Sequence, residues 1–468
     1  MIKIPNTEAA QKAGEKVKLA GWVHARRDHG KIIFIDLRDS SGLIQVVFLP
    51  KPEELRQLAD TLRPEYVVAI EGQVNERPAN MINDKIPTGK IEIQAEKLEI
   101  INQAETPPFE LDKDGYEIKE DLRLRYRYLD LRRERMLRNI DLRQKTKSFI
   151  RNYLTEKYGF MEVDTPILSK STPEGARDML VPSRHYPGCF YALPQSPQQY
   201  KQLLMVGGIE KYFQFPRCFR DEDLRSDRLL EFDQLDIEMS FVDQEYVLQL
   251  TEDLMTEILE KVLGKKIQEK PFPRITYQEA MEKYGNDRPD LRKDKNDPDT
   301  MAMAWVIDFP MFEEKEDKSW GATHHPFTAI QDEDLPLLDK ALKDPQEAKN
   351  IKAKQYDLVM NGHEIFGGSI RTHDPEILSK VFEFLGHDKE STQKKFGHLL
   401  ESFKYGVPPH GGIAAGFGRI LMVALNEQSI REVVPFPTTG RGTTSVMDAP
   451  SPVDKEQLKE LHLTITKE

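Results

Sequence analysis

Cysteine is nearly absent, with only Cys189 and Cys218 in 468 residues. Two thiols and no CxxC spacing leave neither a zinc knuckle nor a disulfide framework. Both read as small buried residues in a reducing compartment. Long apolar runs are missing too: nothing approaches the ~20 residues needed to cross a bilayer. The stretch MIKIPNTEAAQKAGEK lacks the apolar core of a signal peptide, so the expectation is a cytoplasmic protein without a membrane role. Positive charge is in deficit, the net charge being -12, which argues against non-specific nucleic-acid binding. No GxxxxGK[ST] and no HExxH occur. GFGRIL, Gly416 to Leu421, has GxG but neither a third glycine nor a βαβ setting. His324 and His325 are adjacent, and on a strand they would face opposite sides rather than share a metal.

What is present is 38% hydrophobic and 31% charged, enough for a sizeable core in two to four domains. Charge is unevenly spread. Leu122 to Lys147 holds ten basic and three acidic residues, a basic island that is either a solvated helix face or a phosphate contact. A phosphate answers to charges within about 8 Å, so the island matters more than the net value.

The chain divides by pattern. VKLAGWV, KIIFIDLRD, LIQVVFL, YVVAIEGQV and KIEIQAEKLEI are rich in β-formers and separated by turn signals. Five such strands suit a small OB-type barrel, with Leu55 to Leu62 as a short helix between strands three and four. Residues 1–104 are therefore assigned to a barrel and 105–136, beginning with the proline-containing TPPFELDKDG, to a hinge. Apolar residues at helical spacing predict a long helix over Leu137 to Tyr158. Residues 137–468 mix strands and helices, giving an α+β fold class. Tyr284 to Asp299 is strongly polar and reads as an exposed excursion.

FRDEDLRSDRLLEFDQLDIEMSF, Phe219 to Phe241, concentrates nine ionisable residues in its first fifteen positions. Tyr212 to Glu222 and Glu231 to Phe241 read as two strands joined by a polar loop. Alternation puts Phe232, Gln234, Asp236 and Glu238 on one face and Leu235, Ile237 and Met239 on the other. An aromatic ring beside acceptors suggests a ligand floor, while Arg220 and Glu222 share a face on the first strand. ALPQSPQQYKQLL brings Ser196, Gln198 and Lys201 together. GGIAAGFGRILMVAL is a glycine-rich strand entering a helix with Arg419 near its start, which suits an anion.

These blocks resemble the class II aminoacyl-tRNA synthetases, and within them the bacterial aspartyl-tRNA synthetases. Gly159 to Pro166 is similar to the dimer-forming first motif, FRDEDLRSDRLLEFDQLD to the second and GGIAAGFGRI to the third. STPEGARDMLVPSR, LPQSPQQYKQL, THHPFTA and NGHEIFGGSIR resemble subgroup signatures, and GWVHARRDHGKIIFIDLRD the anticodon-binding barrel. The matches run through nearly the whole chain in order.

The resemblance implies an aspartate-tRNA ligase. Aspartate and ATP would give aspartyl-adenylate and pyrophosphate, and the aspartyl group would pass to the 3′ end of tRNA(Asp), with tRNA(Asn) as a further acceptor. It implies a homodimer. Arg220, Arg419 and Glu364 would be catalytic. Glu222, Arg228, Phe232 and Gly412 would join them in binding ATP, and Asp357 and Glu364 would hold Mg²⁺. Glu174, Ser196, Gln198, Lys201, Gln234, Asp236, His324 and Arg371 would bind aspartate. Arg27, His29, Phe34, Gln45, Arg77 and Glu92 would read the anticodon. Departures from the family pattern are the absence of a large inserted domain, with 284–303 as its remnant, and Leu229, Phe366, Ala415, Gly418 and Thr438. The alternatives are a non-charging paralogue that binds tRNA or adenylate, and an asparaginyl-tRNA synthetase, which Lys201 speaks against.

Overall fold

The structure, a computed structural model, describes residues 2–171 and 176–466. Contacts divide it into two compact units, one made of Met1–Arg123 with Tyr128–Leu137, the other of Leu124–Arg127 with Arg138–Glu468.

In the first unit the five predicted strands form. They are β1 (Lys16–His29), β2 (Ile32–Asp39), β3 (Gly42–Phe48), β4 (Val67–Glu76) and β5 (Ile91–Asn102), closed in the order β1-β2-β3-β5-β4. A helix, α1 (Glu53–Asp60), lies between β3 and β4. Alternation decides which side chains fill the barrel. Ile33, Ile35, Ile44, Val46, Ile91 and Ile93 are buried, while Phe34, Asp36, Gln45 and Glu92 between them point outward.

The second unit is built on a sheet that among the described residues has nine strands. The helix α2 (Glu134–Asn152) precedes it. Next come β6 (Met161–Glu162), α3 (Gln198–Val206), β7 (Lys211–Gln214), β8 (Arg217–Phe219), β9 (Glu231–Ser240) and α4 (Gln244–Glu257). The sheet is completed by β10 (Arg274–Thr276), β11 (Met303–Ile307), β12 (Gln355–Met360), β13 (His363–Ile370) and β14 (His410–Gly416), which runs into α5 (Phe417–Ala424). Strand order is β10-β11-β12-β13-β14-β9-β7-β6, with β8 also paired to β9. The central pairs are antiparallel.

The predicted face assignment of β9 holds. Leu235, Ile237 and Met239 have no exposed surface and join the main core with Leu254, Phe366, Ile413 and Leu421. Each fully buried apolar side chain of this size contributes about 1.5–3 kcal/mol. That anchors the strand and turns its polar face the other way. The first strand is shorter than expected: β8 stops at Phe219, so Arg220 and Glu222 lie in the connection that follows. Backbone pairing persists one step further, Arg220 N donating to Leu230 O at 2.9 Å, and holds the connection against β9. The long helix ends at Asn152 in regular form and loosens into a wider turn over Tyr153–Lys157.

Three expectations change. Cys189 is exposed, and only Cys218 is buried. The basic island is a solvated face only in part: Arg125, Arg138 and Lys145 are exposed, while several of its other cations turn inward. Arg127 is fully buried and donates to the carbonyls of Arg431, Val434 and Pro435. Arg133 is buried against Asp130 and Lys113 O, and Arg143 and Lys147 pair with Asp233. The third change concerns the two histidines and is described with the site. At Tyr284 to Asp299 the chain makes a short, mostly exposed excursion, in which Arg292 grips Asp290 through two hydrogen bonds of 2.9 and 3.0 Å.

Candidate active site and anticodon face

A cavity of about 350 Å³ opens over the polar face of β9. Its floor is Phe232, Gln234 and Asp236. α3 supplies Gln198 and Lys201, the connection after β8 supplies Arg220, Glu222 and Arg228, and the start of α5 supplies Arg419. Ser196, His324, Glu364 and Arg371 complete the expected set that reaches it. Two expected residues do not line it. Gly412 sits opposite Glu238 on the neighbouring strand, where any Cβ would collide with the Glu238 carboxylate. The missing side chain leaves room for that carboxylate. Asp357 lies behind Gly367. Glu174 lies outside the described residues.

Below the floor is a buried cluster of four charges. Lys201 Nζ is 3.0 and 3.1 Å from the two oxygens of Asp236 and 3.1 Å from Glu238 Oε2. Arg371 donates to both oxygens of Glu238, at 2.9 and 3.0 Å, and to Ser369 Oγ at 2.7 Å. All four side chains are almost wholly buried. Two cations against two carboxylates make the group neutral, without which burial would be prohibitive. Burial pushes Asp236 up to about 6, Lys201 offsetting this only in part and the charge of Glu238 adding to it. Burial acts on Glu238 too, but Arg371 and Lys201 outweigh it and draw the carboxyl down to about 2.

Sequence reasoning had Glu238 on the right face but did not include it in the site. Its position two residues from Asp236 was the signal. His325 was missed as well. The two histidine rings, expected on opposite sides, lie 4.6 Å apart on a loop, and both line the cavity. Arg371 Nη1 donates to His325 Nε2 at 2.6 Å. Burial, then Arg371, Arg220 and Lys201, lower His324 to about 3.

At the other end Arg220 lies 5.3 Å from the Phe232 ring centroid and donates to Gln195 O at 3.2 Å. Arg228 and Glu222 pair at 3.0 Å. Arg419 donates to Glu364 O at 2.9 Å and meets Asp227 at 3.3 Å, while its Nε has no partner among the described residues. Gly416 precedes α5 without a side-chain cap, so the helix N-terminus adds donors to this end. Asp357 and Glu364 have no ion-pair partner among the described residues; Gln355 Nε2 reaches Asp357 at 3.4 Å. A Cβ at Gly367 would stand 3.2 Å from Asp357 Oδ1 and 3.3 Å from Glu364 Oε1. Burial, then the charge of Glu364, raises Asp357 well above the usual carboxylate range. Uncompensated carboxylates side by side fit a hard divalent cation.

The departures resolve partly in packing. Leu229 is buried in the main core while also lining the cavity. Phe366 and Ala415 are directly opposed across β13 and β14. A large residue where the family pattern has glycine thus faces a small one where it has phenylalanine. At Gly418 a Cβ would meet Ile430 at 2.9 Å, so an aspartate would need that side chain to move. Nothing in the structure explains Thr438.

On the barrel, a polar stripe crosses four strands. Arg27 grips Asp36 at 2.7 and 2.8 Å and reaches Gln45 at 3.3 Å, and Gln45 donates to Glu92 at 2.9 Å. His29 stands edge-on to Phe34 at 5.5 Å. Arg77 is 9% exposed, and its Nε has no partner among the described residues.

The family model for tRNA synthetases class II (D, K and N) matches residues 119–440, and that for an OB-fold nucleic acid binding domain matches 17–101. This chain belongs to the class II tRNA synthetases. The synthetase is 42% identical to the aspartate–tRNA(Asp/Asn) ligase of Rubrobacter xylanophilus, over 97% of this chain and 95% of that one. It is 40% identical to the aspartate–tRNA ligase of Staphylococcus epidermidis, over 96% and 97%. The alignment with the first relative runs over 580 residues, beyond the 468 here, so that relative carries residues this synthetase lacks. Among solved structures, the asparaginyl-tRNA synthetase from Pyrococcus horikoshii complexed with asparaginyl-adenylate is similar at TM-score 0.74 and 26% identity, covering 94% and 98%.

Proposed function

We propose that the synthetase activates L-aspartate with ATP and charges both tRNA(Asp) and tRNA(Asn). The observation that carries this reading is the buried Lys201–Asp236–Glu238–Arg371 cluster at the floor of a cavity whose far end is lined by arginines. Lysine has three N–H donors and arginine five. Lys201 faces two carboxylates, and Arg371 has four acceptors, Glu238 Oε1 and Oε2, Ser369 Oγ and His325 Nε2. That leaves one N–H of Arg371 for a substrate carboxylate, while Lys201, whose three N–H groups face three oxygens within 3.1 Å, adds its charge beside it. An amide would offer that pair one acceptor and no charge, leaving a cationic donor buried and unmatched.

In the first step the substrate α-carboxylate attacks the α-phosphorus, a C–O–P link forms and pyrophosphate departs. No protein base is needed, because the carboxylate is already ionised. Arg220 bridges the two reacting groups and neutralises developing charge. Phe232 and Arg419 enclose the adenine, Glu222 takes its amino group, and Arg228 meets the phosphate tail. Ser196, Gln198, Gln234 and Asp236 hold the α-ammonium. Asp357 and Glu364 would hold Mg²⁺, which when bound supplies further neutralisation of the phosphates. In the second step the terminal ribose hydroxyl of the tRNA attacks the mixed anhydride and AMP leaves. On the barrel, Phe34 stacks on an anticodon base, with Arg27, Gln45, Arg77 and Glu92 as polar readers and His29 beside the ring. Several relatives are named for both Asp and Asn tRNAs, which supports dual charging. A homodimer through Gly159–Pro166 is supported by the exposed apolar side chains Met161, Ile167 and Leu168. Among the described residues no helix is long and apolar enough to cross a membrane; with the near-absence of cysteine this supports a cytoplasmic location.

Aspartate-dependent ATP–pyrophosphate exchange is the direct test, and absence of exchange removes the reading. Arg220→Ala is expected to lower the exchange rate by roughly 10²–10³, the loss of one charged donor at a developing oxyanion. Purified tRNA(Asp) and tRNA(Asn) should both accept labelled aspartate. No label on tRNA(Asn) would restrict the enzyme to one acceptor.

A further inference from the structure

Beneath Gln198 runs a buried chain of hydrogen bonds that no part of the reaction above uses. Its far end is His410 at the start of β14, whose Nδ1 lies 2.8 Å from Pro408 O. A carbonyl oxygen can only accept, so Nδ1 carries the proton. Burial lowers the His410 pKa and so favours the neutral ring. Its Nε2 is therefore a lone pair. Gln202 Nε2 lies 3.1 Å from that lone pair and must be the donor. This fixes the Gln202 amide, whose oxygen then faces back along α3. Gln198 stands one turn earlier on the same helix, and its Nε2 donates to Gln202 Oε1 at 3.1 Å. Gln202 and His410 have no exposed surface, and Gln198 is nearly as buried. At the near end Gln198 lines the cavity beside Asp236, and its own Oε1 receives no hydrogen bond among the described residues.

We propose that Gln202 and His410 are positioning residues that lock the Gln198 amide with its oxygen toward the cavity, so that this point of the site accepts a primary ammonium and disfavours a hydrogen-bond acceptor. The proposal deepens the aspartate-activating reading and rests on it. Its physical content is polarity. Each amide could be turned over with little change of shape, and a terminal amide torsion has two nearly equivalent wells. Turning Gln198 alone would set its NH₂ against the ammonium and its oxygen against Gln202 Oε1. Turning both would set Gln202 Oε1 against the His410 lone pair. One carbonyl, that of Pro408, thus dictates the direction of three successive hydrogen bonds. The chain is not visible in sequence, because its two halves are 208 residues apart.

The test uses the full-length protein and two ligands: aspartate, and succinate, which keeps both carboxylates and lacks the ammonium. In pyrophosphate exchange, Gln202→Leu should raise the aspartate KM about tenfold, the effect of one hydrogen bond to a charged group, and leave the ATP KM and the succinate inhibition constant unchanged. Gln202→Glu in its protonated form can donate to His410 and accept from Gln198. It should keep the aspartate KM within about twofold of the parent. Should Gln202→Leu not fold, His410→Phe removes the same lone pair and is expected to give the same split. An unchanged aspartate KM in the folded variant overturns the proposal. So does a parallel rise for aspartate and succinate, which would mark general damage to the pocket. Absence of aspartate-dependent exchange in the parent protein overturns the underlying reading, and this proposal with it.

Discussion

Asp236 and Glu238 stand two residues apart on one strand, yet their surroundings drive the carboxyls in opposite directions. Asp236 shares one lysine and rises to about 6, whereas Glu238, held by both Arg371 and Lys201, falls to about 2. A raised folded-state pKa means that Asp236 favours the fold below its ordinary range near 3.8, and that this contribution is lost as pH rises through about 6. Glu238 does the reverse. Its contribution is present above its ordinary value of 4.5 and is lost as pH falls through about 2. Because the proposed ammonium contact needs Asp236 ionised, the aspartate KM should climb as pH falls through about 6 while the ATP KM stays level. A flat aspartate KM from pH 5 to 7 would remove Asp236 from that contact. Glu238→Ala leaves two buried cations sharing one carboxylate and should lower stability by about 3–5 kcal/mol in denaturant melts.

At the scale of elements, β13 and β14 carry an exchange of volume. Phe366 faces Ala415, and both are fully buried in the main core. Ala415→Phe alone should overpack the pair and cost about 1–3 kcal/mol. Phe366→Gly alone should open a void at a cost of about 3–5 kcal/mol. The double variant should fall short of the sum by at least about 1 kcal/mol, read from thermal midpoints in a double-mutant cycle. Additive losses would show that the two positions do not compensate. The same strands mark what sequence can disclose. The two faces of β9 were legible because a period of two cannot bury Leu235, Ile237 and Met239 without turning Asp236 and Glu238 the other way. The barrel was legible for the same reason. What Gly412 makes room for was not legible because pattern gives a glycine no address: only the register against Glu238 shows it. The histidine pair was misjudged because residues 323–328 form a loop, where alternation has no force.

For the molecule as a whole, the inward turn of the basic island carries a consequence for RNA affinity. A polyelectrolyte partner responds only to cations that can displace its counterions. Arg127, Arg133 and Arg143 are committed to backbone carbonyls and carboxylates within their own units. The surface offered to a nucleic acid is thus more acidic than the count of arginines suggests, on a chain already at -12. Binding of tRNA should then lean on stacking and hydrogen bonds at the barrel rather than on ion release. The plot of log affinity against log salt should be shallow, with a slope of about -2 to -3 where a basic RNA-binding surface with many phosphate contacts gives values several-fold steeper. Phe34→Ala should cost about 1–3 kcal/mol of that affinity and leave the slope unchanged.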